Sequence, residues 1–270
     1  VTAKAGIHHL ICPYLREFKA YSSARTESSG GEIFLDANEL SLGCSADLSK
    51  DAVLNSLSLN RYPDPEQKTL RERLGHYWKV GKEHLFIGNG SDEVIDLLVR
   101  LFCESAKDSI LVTEPTYGVY RVAADLNHVS IQNVELKADF SPDFEKIRAS
   151  ISAGVKIIFF CSPNNPTGLL IDPAEILRIC ESFDGIVVVD QAYVEFSKDV
   201  RSLIDEVPKR SNLVLLRTFS KAWGLAGARL GYAVASPEIV SYLTRIKPPY
   251  NVNAVSGKLG LMALDEEEKE

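Results

Sequence analysis

Short, nearly continuous apolar runs recur along the chain, each followed by a turn rich in Gly, Pro or Asn and then by a segment with helical spacing. The runs are Ile33–Leu35, Leu85–Ile87, Ile110–Val112, a weaker one near Val129–Val134, Val155–Phe160, Gly185–Asp190, Leu213–Leu216 and Leu230–Ala235. Continuous rather than alternating apolar character is the pattern of strands covered on both faces. Between the runs, helical spacing predicts helices over Glu66–Val80, Asp92–Cys103, a stretch ending at Leu126, Phe144–Ile151 and Pro173–Phe183. Leu70, Leu74, Tyr77 and Trp78 form one stripe of the first, and Val94, Leu97, Leu98, Leu101 and Phe102 the inner face of the second. In Asn60-Arg-Tyr-Pro-Asp-Pro65 the two prolines exclude helix and fix an extended turn. The alternation of strand and helix predicts a three-layer α/β/α fold around a mainly parallel sheet of about seven strands.

In open sheets of this kind, ligands gather outside the carboxyl ends of the strands. Polar residues just past the apolar runs are therefore candidates for one shared site. They are Ser91 in Gly88-Asn-Gly-Ser91, Tyr117 in Thr113-Glu-Pro-Thr-Tyr-Gly118, Asn165 in Cys161-Ser-Pro-Asn-Asn-Pro-Thr-Gly168, Asp190, and Lys221 after Arg217-Thr-Phe-Ser220. Each also has a plain reading. The glycine turn before a helix leaves N–H groups for an anion, but it lacks the Gly-Lys-Ser/Thr of a nucleotide loop, and Glu93 replaces the third glycine of a dinucleotide fingerprint. Asp92 and Glu93 suit a helix first turn on their own, so an anion fits only if their side chains point away. Tyr117 serves equally as a core aromatic at a helix start. Asn-Pro marks ordinary turns. Asp190 ends an all-apolar run and needs a cation or a hydrogen-bonded partner. Cys161 reads as a buried, inert thiol.

Taken together, these residues match the needs of pyridoxal phosphate. Lys221 supplies an amine for a Schiff base with the cofactor aldehyde, and Asp190 an anion for the pyridine nitrogen. Asn165 and Tyr193 can donate to the ring 3′-oxygen, and Tyr117 can cover the ring face. The amides of Ser91 and Asp92, the hydroxyls of Thr218 and Ser220, and Arg229 can hold the phosphate.

Composition narrows the alternatives. The chain has 270 residues, room for one large domain or two smaller ones, and a net charge of −7, so no overall basic field draws it to nucleic acid. No apolar run has the length of a bilayer span. Five scattered cysteines fit reduced thiols in a cytosol, and no secretory signal pattern opens the chain. His8-His9 has no further ligand cluster to make a metal site. Residues 1–32 read as an irregular arm carrying Tyr14 and Tyr21.

Asn164-Asn-Pro-Thr-Gly168, Asp190-x-x-Tyr193 and Ser220-Lys221 followed by Arg229 resemble the fold-type I pyridoxal-phosphate aminotransferases over nearly the whole chain. Tyr21-Ser-Ser-Ala-Arg25, Leu35-Asp-Ala-Asn-Glu39, Asn60-Arg-Tyr-Pro63, Gly90-Ser-Asp-Glu93, Pro115-Thr-Tyr-Gly118 and Arg217-Thr-Phe-Ser-Lys-Ala222 are similar to the histidinol-phosphate aminotransferase family. Phosphothreonine decarboxylases and aromatic aminotransferases share several of these motifs, and a non-catalytic protein on the same fold stays open as well. The resemblance implies a cytoplasmic homodimer with sites at the subunit interface, and Tyr62 reaching the phosphate of the partner's cofactor. It places Tyr21 and Asn38 near the substrate and makes Lys221 the base of the proton shift that follows amine exchange. It implies amino transfer from histidinol phosphate to 2-oxoglutarate. It divides the chain into an N-terminal arm and part of a small domain (1–45), a cofactor-binding large domain (46–240) and a helix leading into an incomplete C-terminal small domain (241–270). In the family that small domain carries the arginines for the substrate's anionic groups. The chain departs from the usual Asp-Glu-Ala-Tyr at Gln191, a change neutral in size.

Overall fold

Among the described residues the apolar runs pair into a single seven-stranded sheet. The computed structural model describes residues 38, 57, 59–198 and 203–267. Its strands are β1 (Leu85–Gly88), β2 (Ser109–Glu114), β3 (Ser130–Glu135), β4 (Val155–Cys161), β5 (Ile186–Asp190), β6 (Leu213–Thr218) and β7 (Gly231–Val234). The run Ile33–Leu35 lies outside the described residues. β3, β2, β4, β5 and β6 pair in parallel, and β7 runs antiparallel to both β6 and β1. A parallel return needs a crossover element, and none forms after β6. The Ala222-Trp223 segment is helix-compatible in sequence, yet residues 219–230 make turns and one 3-10 helix, Ala226–Ala228. The chain therefore reverses directly into β7.

Side-chain alternation along each strand feeds two apolar cores, one per face of the sheet. Leu111, Ile158, Val187, Val189 and Leu215 face one core with α1 (Lys68–Trp78), α4 (Phe144–Ser150), α5 (Pro173–Ser182) and α7 (Ala254–Glu267). Ile110, Ile157, Phe159, Val188 and Val214 face the other with α2 (Ser91–Phe102), α3 (Val119–Leu126) and α6 (Pro237–Ile246). This two-sided burial is the reason the strands read as unbroken apolar runs. Helix starts follow local chemistry. Asp172 caps α5 by accepting from the Ala174 amide, Ser236 caps α6 by accepting from Ile239, and a proline opens each helix. The buried face of α2 is broader than its spacing suggested. Ile95 and Val99 are buried with Val94, Leu97 and Leu98, whereas Leu101 and Phe102 are only partly buried. The cause is that α2 packs on the sheet and also against α3 and α6.

The edge of the sheet where β1, β7 and β6 meet is tightly closed. A Cβ on Gly231 would lie 2.4 Å from the Ser91 amide nitrogen and 2.6 Å from the Gly90 carbonyl carbon. β7 thus fixes the height of the turn before α2. Gly231→Ala is expected to force the turn away and to lower stability by about 1–3 kcal/mol, the usual range for overpacking. The urea midpoint of the variant measures this, and an unchanged midpoint would show that the turn yields freely.

Candidate active site

Helix α2 opens without a side-chain cap. Its N-cap, Gly90, has φ 81° and no side chain to offer, so the first N–H groups of the helix have no side-chain acceptor there. Arg229, itself at φ 49°, brings its Nη2 to within 2.7 Å of where a Gly90 Cβ would stand. Only glycine admits both the backbone geometry and that approach. Of the two acids flagged in this turn, Glu93 does point away. Its Oε2 accepts from the Asn89 amide at 2.7 Å and from Asn251 Nδ2 at 2.7 Å. Asp92 does not. Its carboxylate accepts from Tyr117 Oη at 3.0 Å and from Arg229 Nη2 at 2.8 Å. The physical reason is the Arg229 guanidinium, which draws in the nearest carboxylate. Behind it, Thr218 Oγ1 accepts from the Ser220 amide at 3.1 Å, and both residues are buried.

Asp190 closes β5 and is 2% exposed. Its Oδ2 accepts from Tyr120 Oη at 2.8 Å and its Oδ1 from the Ala192 amide at 3.1 Å. Burial pushes the carboxyl up to about 6, the hydrogen bonds from Tyr120 and Ala192 pull it back, and of the nearby charges Asp92 raises it while Lys221 lowers it. Lys221 and Asp190 therefore lie within electrostatic reach of each other. Tyr120 is stacked on Phe159 at 4.8 Å and set edge-on to Tyr117 at 5.7 Å. Burial, and then the neighbouring Asp190 charge, raise its phenol well above the ordinary value, so it stays a donor. Tyr120 is absent from the sequence-derived candidates. Its only sequence mark is its place three residues after Tyr117, on the inner side of α3.

Lys221 Nζ lies 5.6 Å from the centre of the Tyr193 ring. The Tyr193 hydroxyl in turn accepts from Asn38 Nδ2 at 3.3 Å. Asn38, Asn165 and Tyr193 line one cleft of about 510 Å³, together with Asn164 and Phe196. Asn164, part of the Asn-Asn-Pro-Thr-Gly motif but given no role by the sequence, ties the loops after β2 and β4 together. Its Nδ2 donates to the Pro115 carbonyl at 3.1 Å and its Oδ1 accepts from Thr116 Oγ1 at 2.9 Å. The Asn165–Pro166 peptide bond is cis. Under the site, Arg217 is fully buried, lies 4.1 Å from the Trp78 ring centre, and donates through Nε and Nη2 to Gln191 Oε1. The Gln191 side chain thus braces β6. Cys161 is buried beside Asp190, and burial pushes its thiol up to about 12.

The structure thus links Asn38 to Tyr193 and Tyr193 to Lys221, and links Asp190 through Tyr120 to Tyr117, Asp92 and Arg229. The charge of Lys221 acts on Asp190, Ser91 opens α2, Thr218 ends β6, and Ser220 and Asn165 lie on the adjoining loops. It does not bring Tyr62 to this group. Tyr62 is 80% exposed and stacks on Tyr250 at 4.5 Å. Tyr21, His8-His9, Cys12 and Cys44 lie outside the described residues. Among the described residues no cluster of three or more His, Cys, Asp or Glu could hold a metal, and no helix is long and apolar enough to cross a membrane.

An α/β sheet with a lysine and a buried carboxylate at its carboxyl edge, beside an uncapped helix start, defines a class, and comparison with known proteins agrees. The chain belongs to the family described as aminotransferase class I and II, whose sequence model matches residues 31–270. Within that class it is similar to the histidinol-phosphate aminotransferase of Cytophaga hutchinsonii, 48% identical over 251 residues, or 93% of this chain and 69% of that protein. The structure of histidinol-phosphate aminotransferase from Sinorhizobium meliloti in complex with pyridoxal-5′-phosphate shares the fold, with a TM-score of 0.76 at 24% identity over 86% of this chain. This chain spans 64% of that one. L-threonine-O-3-phosphate decarboxylase from Porphyromonas gingivalis is also similar, with a TM-score of 0.68 at 26% identity, covering 81% of this chain and 69% of that one.

The elevated Asp190 carboxyl has a measurable consequence in the cofactor-free protein. Its folded value, about 6, lies above the ordinary 3.8. The stability it contributes is complete below the ordinary value and is lost as pH rises through the folded one. Asp190→Asn removes this dependence. The urea midpoint of the variant should therefore gain on that of the parent between about pH 4 and pH 7. A gap that stays constant with pH would contradict the assignment.

Proposed function

We propose that the chain transfers the amino group of histidinol phosphate to 2-oxoglutarate, giving imidazole acetol phosphate and glutamate in histidine biosynthesis, with pyridoxal phosphate as cofactor. The observation that carries this reading is the buried Asp190 within electrostatic reach of Lys221. The residues present fit the cofactor on structural grounds. A desolvated carboxylate with a raised affinity for protons calls for a cationic N–H partner. An uncapped helix start beside an arginine calls for an anion.

When bound, pyridoxal phosphate supplies an aldehyde that takes up an amine and a ring that withdraws electrons. In this reading Asp190 holds a proton at the ring nitrogen, and the Tyr120 hydrogen bond keeps the carboxylate anionic against its burial. Tyr117 covers one ring face, and Asn165 and Tyr193 donate toward the 3′-oxygen. The Ser91 and Asp92 amides, the Thr218 and Ser220 hydroxyls, and Arg229 hold the phosphate. Arg229 would release its half-exposed ion pair with Asp92 to hold the phosphate, since a charge-assisted fork onto phosphate would outweigh that pair. Lys221 then moves the proton that amino transfer requires.

The finer assignments follow the family resemblance. Asn38, hydrogen-bonded to Tyr193, and Tyr21 face the substrate. A homodimer in the cytoplasm brings Tyr62 to the partner's cofactor phosphate, a role that the exposed Tyr62–Tyr250 pair suits. Residues 1–45 form the arm and part of a small domain, 46–240 the cofactor-binding domain, and 241–270 the lead into the C-terminal small domain. A decarboxylase acting on an amino-acid phosphate is the second reading, favoured by the likeness to the Porphyromonas gingivalis enzyme.

Two measurements test the reading. The purified protein with pyridoxal phosphate should absorb in the visible, and Lys221→Ala should abolish that band and lower amino transfer more than about a thousandfold. With histidinol phosphate and 2-oxoglutarate the products should be imidazole acetol phosphate and glutamate. Release of carbon dioxide from phosphothreonine in place of glutamate formation would select the decarboxylase. Arg229→Lys should keep the charge but weaken cofactor binding about tenfold, since an ammonium cannot replace the planar fork.

A further inference from the structure

Residues 251–260, the end of the link from α6 and the start of α7, touch both jaws of the anion cradle. On one side, Asn251 Nδ2 donates to Glu93 Oε2 at 2.7 Å and to the Ile87 carbonyl at 3.1 Å. The same Glu93 oxygen accepts the Asn89 amide at 2.7 Å, so Asn251 is bonded through a single atom to the turn that precedes α2. On the other side, the Ser256 hydroxyl donates to the carbonyl of Ala228, the residue before Arg229. That hydroxyl is itself oriented by Asn253, whose Nδ2 donates to it at 2.9 Å while its Oδ1 accepts the Ser256 amide at 2.8 Å. One turn further along α7, a Cβ on Gly260 would lie 2.5 Å from Leu230, the residue after Arg229. The two jaws come from distant parts of the chain, and residues 251–260 contact both.

Asn251 also breaks a local rule. Its Oδ1 is buried and has no hydrogen-bond partner among the described residues. Leaving a buried acceptor unsatisfied is costly, and such costs gather where function sets the geometry. The donor end of this side chain is what the fold uses.

We propose that Asn251 and Ser256 are positioning residues for the cofactor phosphate. They set the distance between the N–H groups at the start of α2 and the Arg229 guanidinium, while touching neither the ring nor Lys221. The inference rests on the reading of this cradle as the phosphate site.

The test separates grip on phosphate from general stability by comparing two ligands, pyridoxal phosphate and pyridoxal, titrated against the full chain by tryptophan fluorescence. Asn251→Ala and Ser256→Ala should each weaken pyridoxal phosphate about fivefold to tenfold, the effect of one lost hydrogen bond, and leave pyridoxal affinity unchanged. Glu93 supplies a control of opposite sign. If its charge alone mattered, both Glu93→Ala and Glu93→Gln would tighten phosphate binding. If bracing matters, Glu93→Ala weakens it and Glu93→Gln, which keeps an acceptor, restores it. The Glu93 pair alone decides the matter should Asn251→Ala fail to fold. Equal losses for both ligands, or no change in any variant, would overturn the positioning role while a parent preference for the phosphorylated ligand stands. A parent protein that binds pyridoxal as tightly as pyridoxal phosphate would overturn the phosphate reading of the cradle, and the brace with it.

Discussion

A carboxylate placed where water cannot reach it constrains everything around the site. Asp190 ends the middle strand of the sheet, where both faces are covered by apolar side chains. Left there alone it would take up a proton. The Tyr120 hydroxyl, the Ala192 amide and the charge of Lys221 each oppose that, and the balance falls near neutrality. A group so poised responds strongly to one added positive charge, because a low local dielectric magnifies each interaction. In the proposed reading that charge is the protonated ring nitrogen of the cofactor.

The surrounding elements can be understood as holding that carboxylate and its lysine in one frame. Arg217 is fully buried yet stacked on Trp78 and forked onto Gln191, so it links the ends of β5 and β6 from below. An amide at position 191 accepts the fork without adding a second buried negative charge beside Asp190. Glu195 lies 3.6 Å from the Arg217 Nη1 and supplies an anion from the next turn.

The opposite end of the site rests on backbone rather than on charge. Gly90 and Gly231 let the α2 turn, β7 and Arg229 approach more closely than any side chain would allow. The resulting cradle is polar, open at the helix start and bridged by an Asp92–Arg229 pair. In the proposed reading, cofactor ring and cofactor phosphate meet different physics, a desolvated charge at one end and uncapped N–H groups at the other.

Much of this was legible in the order of residues alone. Unbroken apolar runs separated by helical spacing specify a two-sided parallel sheet, because a strand with a solvent face would alternate. Once the sheet is known, its carboxyl edge gathers Ser91, Tyr117, Asn165, Asp190 and Lys221 without further information. What the order of residues could not reveal depends on packing at a distance. Tyr120 looked like any inward aromatic until β5 placed a carboxylate against it. Asp92 could have faced either way, and Arg229, from 137 residues along the chain, decided it. The segment after Lys221 had helix-forming residues, but the need to return beside β6 made it a turn. Asn251 and Ser256 carry no motif, and their meaning arises only where the chain entering α7 meets both sides of the cradle. Periodicity and composition are local properties and fix what forms locally. Hydrogen bonds between remote segments are settled only when the sheet and its two helical layers have closed.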